Sequence, residues 1–374
     1  VKKTYHALGL MSGSSLDGVD IALCRFDVEK ATDGTVRLNF WELLRAETLP
    51  FSEDWKERLV RLPAGSAINL VHAHADLGHF LGKLVKDFVK NLPEIFPTID
   101  LVASHGHTIF HEPALGFTCQ IGDGAALAVE AGCTVVCDFR SSDVALGGQG
   151  APLAPLADKV LFPGYDFYLN LGGISNLTCY AEGKYVAFDV GGANQMLNAL
   201  SRQIGLSFDR GGQVAAGGVL DKSLFDRLNS LPYFSEPYPK SLSNQWVQEN
   251  CVRLCLDASG KVEDKLRTTT EHIAFQIANS IAELLEKERI EKKRFSLFAT
   301  GGGALNGFLM SCIREYARPF GELELVLPAK EIIEFKEAIF MALLGVLRLE
   351  GAPNCLSSVT GASRDAVGGA IFSP

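Results

Sequence analysis

The chain has 374 residues, 47% of them hydrophobic and 21% charged, the composition of a packed globular protein with length for two domains. A formal charge of -9 without any Lys/Arg cluster excludes a nucleic-acid-binding surface, and no run of 18 apolar residues offers a membrane span. Nine scattered cysteines, odd in number and set mostly in apolar stretches, fit buried thiols in a reducing compartment, so the expected location is cytoplasmic and the expected partners are small molecules.

In chain order, "YHALGLMSGSSLDGVDIALCRF" (5–26) places two apolar runs on either side of a Gly/Ser turn. A helical period follows over 71–92, then the strand-like "DLVASHGHT", then the polar loop "VVCDFRSSDVALGGQGAPLAP" (135–155). "DFYLNLGGISN" and "YVAFDVGGAN" repeat the strand and glycine-turn plan. The stretch 228–247, rich in Pro, Ser and aromatics, reads as an ordered excursion near the site, because a linker would lack the aromatics. A helix over 268–290, the strand "FSLFATGGGALN" and a helix over 337–349 complete the pattern. Strands interleaved with long helices predict an α/β protein with covered sheets. The hairpin at 5–26 answers the one at 167–189, and "DLVASHGHT" answers "FSLFATGGGALN", which predicts two related halves facing one cleft.

Tight turns of small residues expose backbone N–H groups, so Ser12, Gly13, Ser14 and Ser15, and again Gly172 to Asn176, can cradle phosphate oxygens. Asp17 and Asp20 lie just beyond the first turn, where a carboxylate holds Mg²⁺ through water or merely stabilises the turn. Neither a P-loop nor a G-x-G-x-x-G follows any strand, which excludes the two commonest nucleotide signatures. Gly301, Gly302 and Gly303 end a strand where side-chain-free backbone lets a ring or ribose approach. Arg140 suits a carboxylate, and Asp143 and Gln149 suit sugar hydroxyls or an amide; the competing reading makes Arg140 an internal brace with Asp138 or Asp143. Asp189 ends an apolar strand, where a carboxylate is costly unless it accepts a proton or binds a hydroxyl. His105, His107 and His111 are metal-ligand types, which seeds a metallohydrolase reading, but no carboxylate set completes a site nearby.

The ordered series "GLMSGSSLDGVD", "SHGHTIFHEP", "IGDGAALAVEAG", "DFRSSDVALGGQGAPLAP", "NLGGISNLT", "FDVGGANQMLNAL", "DRGGQVAAGG", "PKSLSNQW", "GGGALNGFLM" and "PNCLSSVTGASRDAVGG" resembles the anhydro-N-acetylmuramic acid kinases of the actin-like ATPase and sugar-kinase superfamily. The resemblance implies a two-domain actin-like fold, a duplicated ribonuclease H-like α/β architecture with an interdomain cleft. It puts domain I at 1–137 plus 356–374 and domain II at 138–355. ATP phosphates would lie on Ser12–Ser15 and on Gly172, Gly173 and Asn176. Asp17 would be at the Mg²⁺ end, and Gly301–Gly303 and Asn306 would hold the nucleoside. The implied reaction is hydrolytic opening of 1,6-anhydro-N-acetylmuramic acid coupled to phosphorylation of O6, with Asp189 as base and Arg140, Asp143, Gln149, Gly191, Asn194 and Glu337 at the sugar. A homodimer is implied as well. A kinase for another sugar and a nucleotide-gated module without catalysis are the alternatives. The chain departs from the usual family pattern at His107, Asp158, Val190, Gly192, Ala193 and Asn198.

Overall fold

A computed structural model describes residues 1–13, 16–93, 95–181 and 184–374, without the side chain of Lys184. Ser14 and Ser15, named above for phosphate binding, lie outside the described residues. The chain forms two compact units, Val1–Pro163 with Phe335–Pro374, and Gly164–Glu334.

In the first unit, β1 (Lys2–Ser12), β2 (Gly18–Lys30) and β3 (Val36–Pro50) run antiparallel in succession. On the other side of β1, β4 (Leu101–Ser104) lies parallel to it. A separate hairpin, β5 (His107–Glu112) with β6 (Phe117–Ile121), follows. Next, β7 (Thr134–Cys137) pairs parallel to β4. The second unit begins with β8 (Phe167–Leu171), β9 (Ile174–Ala181) and β10 (Lys184–Gly192), antiparallel in succession. Then β11 (Arg294–Thr300) runs parallel to β8, and β12 (Glu322–Val326) parallel to β11. Finally β13 (Ala370–Phe372) closes the first sheet against β7. The sheet orders are β13-β7-β4-β1-β2-β3 and β10-β9-β8-β11-β12. Strand for strand, β1, β2, β3, β4 and β7 answer β8, β9, β10, β11 and β12 in order and direction, so the duplication read from the hairpins extends to whole sheets.

Each unit has its own core. In the first, the middle of β1 is buried on both faces, with Ala7, Leu8 and Leu10 at most 1% exposed, because helices cover both sides of the parallel strands. Gly9 shows how closely one of them approaches: a Cβ there would stand 1.7 Å from the carbonyl oxygen of Ala338 in the helix Lys330–Glu350. The helix Ala67–Lys90 starts at Ser66, whose hydroxyl accepts the N–H of Asn69, and buries Leu77, Leu81, Val85 and Phe88 along one face. In the second unit the helix Val262–Lys287 buries Leu266, Ile273, Ile277, Ile281 and Leu284 in the same manner.

The boundaries differ from those expected at 137/138 and 355/356. Residues 138–163 stay with the first sheet, through contacts such as the Trp41 indole N–H donating to Leu161 O at 2.9 Å. From Phe335 onward the helix Lys330–Glu350 does too, since Gly9 receives it. Arg140, Asp143, Gln149 and Glu337 consequently belong to the first unit.

Candidate active site

In the first unit, the described part of the β1–β2 turn is closed by Leu16 N–H donating to Gly13 O at 3.3 Å. Ser12, 5% exposed, ends β1 and its hydroxyl lies 2.9 Å from Nδ1 of His107, which is equally buried at the start of β5. Asp17 is exposed and makes no ion pair among the described residues. Asp20, directly across from Met11 in the β1–β2 pair, accepts the Thr48 hydroxyl at 2.6 Å.

Arg140 follows β7 and is half-buried. Its Nε donates to Nε2 of His105 at 3.1 Å, and Nη1 donates to Gly150 O at 2.7 Å. Burial and the Arg140 charge press the His105 pKa down to about 3, so the ring is neutral; Nδ1–H donates to Gly106 O at 3.2 Å, which leaves Nε2 as acceptor. The guanidinium in turn favours ionised Glu337, but desolvation and the nearby Asp20 outweigh it and raise the Glu337 pKa. Glu337 is nonetheless accessible to solvent. Beside it, Lys336 Nζ pairs with Asp158 Oδ1 at 2.8 Å, both side chains at most 9% exposed. The expected brace between Arg140 and Asp138 or Asp143 is replaced by this pairing of Arg140 with His105 and Gly150.

Asp143 is corrected. It is fully buried, and its oxygens accept from Gly150 N (2.7 Å), the Thr360 hydroxyl (2.7 Å) and the Cys355 thiol (3.2 Å). Such a carboxylate folds the 138–150 loop and presents nothing to a sugar. Gln149 is exposed, with its backbone N–H tied to Thr360 O at 2.9 Å. The metal reading of the histidines finds no ground either: His105 and His107 are engaged as above, and among the described residues no three His, Cys, Asp or Glu side chains are grouped to hold an ion.

In the second unit, the β8–β9 turn carries Gly172 and Gly173. Their carbonyls accept the N–H groups of Asn194, Ala193 and Gln195, at 3.1, 2.8 and 3.3 Å, so the turn is fastened to the start of the helix Asn194–Arg202. Asn194 also donates from its side chain to Leu171 O at 2.9 Å. Asn176 sits on β9 directly across from Asp189 on β10, and a bulge between Asp189 and Gly191 bends the strand end. Gly301, at φ 80°, turns the chain off β11 so tightly that a Cβ would be 2.7 Å from Leu171 O. Gly302 is exposed, and a Cβ there would meet only Asn194 Nδ2 at 3.9 Å, while Gly303 is buried. Asn306 is 8% exposed and caps the helix Gly307–Ala317, accepting Leu309 N–H at 3.0 Å; its carboxamide oxygen is thus a structural acceptor.

Asp189 is half-buried, and desolvation raises its pKa above 3.8, against a hydrogen bond from Leu242. The excursion at 228–247 wraps this residue: Leu242 N–H donates to Oδ2 at 2.9 Å, Tyr233 Oη–H donates to Asp189 O at 2.6 Å, and Asp189 N–H donates to Lys240 O at 3.0 Å. Sequence reading put the excursion near the site but missed Tyr233 and Lys240 themselves; their aromatic and proline surroundings were the available signal. Of the departures from the family pattern, Val190 (2% exposed) and Ala193 (0%) sit in the hydrophobic core.

Two sheets of matching strand order and direction define a duplicated α/β fold. The family model described as anhydro-N-acetylmuramic acid kinase matches residues 5–374. A protein of that name from Shewanella denitrificans is 36% identical, with all of both chains covered. Its counterpart from Haemophilus influenzae is 32% identical over 99% of this chain and 98% of its own. The chain belongs to the anhydro-N-acetylmuramic acid kinase family.

Proposed function

We propose that the chain is an ATP-dependent kinase that opens 1,6-anhydro-N-acetylmuramic acid with water and phosphorylates its O6, giving N-acetylmuramic acid 6-phosphate and ADP. The observation that carries the reading is Asp189: a carboxylate at a bulged strand end, with Oδ2 held by Leu242 N–H and its proton affinity raised by burial. In this reaction it takes a proton from water as the water oxygen bonds to the anomeric carbon. The C1–O6 bond breaks, and O6 attacks the γ-phosphorus while the β–γ bridging oxygen leaves with ADP. The two glycine turns supply donors for phosphate oxygens, and Gly302 leaves backbone open for the nucleoside. Arg140, aimed by His105, is the group for the lactyl carboxylate, and Glu337 faces sugar hydroxyls.

Mg²⁺ belongs to the same reading. Asp17, exposed and without an ion pair among the described residues, fits water-mediated contact with a hard cation, and the bound ion would neutralise phosphate charge. A homodimer and a cytoplasmic location are also proposed; among the described residues no helix is long and apolar enough to cross a membrane. Mass spectrometry of the product tests the reaction: one phosphoryl group and one water must be added to the anhydro sugar together. An opened sugar without phosphate, or a phosphorylated anhydro sugar, would contradict the coupling.

A further inference from the structure

Three main-chain or side-chain contacts converge on Asp189 from a segment 44 to 53 residues further along the chain. One fixes its carbonyl (Tyr233), one its N–H (Lys240 O) and one a single carboxylate oxygen (Leu242 N–H). The segment is itself tied together. Lys240 Nζ donates to Tyr233 O at 3.1 Å and stands 4.6 Å from the Tyr233 ring centre, so both anchors share one ammonium. Tyr233, 4% exposed, packs against Trp246 at 5.4 Å, and Ser243 caps the short helix there by accepting Trp246 N–H at 3.1 Å. Tyr238 stacks on Phe188, the residue before Asp189, at 5.1 Å and 9°. Phe234 covers Gly191 so closely that a Cβ would lie 3.1 Å from its ring.

A loop that only filled space would not need to bond the N–H, the carbonyl and the carboxylate of one residue. With Oδ2 accepting from Leu242, no donor among the described residues reaches Oδ1, which is left as the oxygen for a proton. We propose that Tyr233 and Lys240 are positioning residues of the reaction: they hold the strap 232–246 against Asp189 so that its Oδ1 alone is presented to the attacking water. The inference rests on reading Asp189 as the base. The contacts of the strap run to Asp189, the reacting group, so its effect is expected in turnover and not in nucleotide affinity. The ionisable groups around this arrangement are Tyr233, Glu236 and Lys240 on the strap, and Glu283 and Lys287 from the helix Val262–Lys287, whose charges act on Lys240. Desolvation lowers the Lys240 pKa, in keeping with an ammonium held against protein.

The test uses the full-length protein with ATP, Mg²⁺ and the anhydro sugar. Tyr233→Phe removes one hydroxyl and keeps the ring; because small misplacements of a reacting group cost about 10²-fold, kcat is expected to fall roughly 10- to 100-fold. KM for ATP and ATP affinity by calorimetry should stay within about twofold, since uniform binding is untouched. The acid limb of the kcat–pH profile should move to lower pH as water enters beside Asp189. Lys240→Met should reproduce these changes, and Lys240→Arg, which keeps a donor, should restore most of the turnover. Should Tyr233→Phe not fold, the lysine pair carries the same comparison. Wild-type kcat and pH profile in Tyr233→Phe, beside a dead Asp189→Asn, would overturn the strap and spare the base. An active Asp189→Asn would remove the base reading and the strap with it. Equal losses in kcat and ATP affinity would mark the segment as scaffold only and also overturn the proposal.

Discussion

The amide of Leu242 donates to one carboxylate oxygen of Asp189 at 2.9 Å, across 53 residues of sequence. That bond opposes the burial that raises the Asp189 pKa, and burial prevails. The carboxylate is therefore more basic than an ordinary aspartate while still held in one orientation, the combination a general base requires. Turnover must accordingly fail on acidification at a pH above the ordinary aspartate value of 3.8, because only the ionised carboxylate takes a proton. A kcat–pH profile at saturating substrates checks this; an acid limb at or below the ordinary value would contradict it.

The same shift has a cost in stability. A carboxyl whose folded pKa is raised favours the fold fully below its unfolded pKa, and this contribution is lost as pH rises through the folded value. At neutral pH, ionised Asp189 thus weakens the fold, and Asp189→Asn is expected to raise Tm there, with the gain shrinking on acidification. Calorimetric scans at neutral and acidic pH measure the difference.

Asp143→Ala should act on stability and not on the reacting groups. Its removal strands the buried Gly150 N–H and leaves the Thr360 hydroxyl only its longer bond to Leu356 O, at about 1–3 kcal/mol. Gln149→Ala, at an exposed side chain in the same loop, should leave stability within about 0.5 kcal/mol. Denaturant unfolding of both variants compares them directly. Equal, small effects would return Asp143 to the list of substrate-binding candidates.

Gly9→Ala inserts a methyl where the backbone of Ala338 already stands, 1.7 Å from the new Cβ. Overpacking of this kind costs about 1–3 kcal/mol, and here backbone must move. Since Ala338 adjoins Glu337, KM for the sugar should rise more than KM for ATP in whatever protein folds. Steady-state kinetics on the soluble fraction reads the split.

Much of this was legible in the residues. Apolar runs ending in glycine turns marked β1, β4, β8, β10 and β11, and the matched hairpins disclosed the duplication, because strand periodicity and turn chemistry are local properties. Asp143 was misread because residue type cannot tell a buried brace from an exposed ligand; only its three partners, drawn from residues 150, 355 and 360, decide that. The unit boundaries were misplaced for a similar reason, since the docking of residues 335–350 depends on a contact with Gly9 more than 300 positions away. Of the three histidines suggestive of metal by type, His107 pairs with Ser12, His105 with Arg140 and His111 with Thr118.

His107 Nδ1 lies 2.9 Å from the Ser12 hydroxyl. Glutamine also offers a polar atom to that hydroxyl, so His107→Gln should keep kcat and KM for ATP within about threefold, whereas His107→Ala, which leaves buried Ser12 unpaired, should raise KM for ATP about tenfold, the equivalent of 1.4 kcal/mol. Kinetics of the two variants side by side separate a hydrogen-bonding role from mere filling.

The most direct test of the account is a coupled ADP-release assay with ATP, Mg²⁺ and 1,6-anhydro-N-acetylmuramic acid, run on the native protein and on Asp189→Asn. Sugar-dependent ADP release that falls at least about 10²-fold in the variant, while ATP binding persists, is the expected result. ADP release that ignores the sugar, or that survives unchanged in Asp189→Asn, would contradict it.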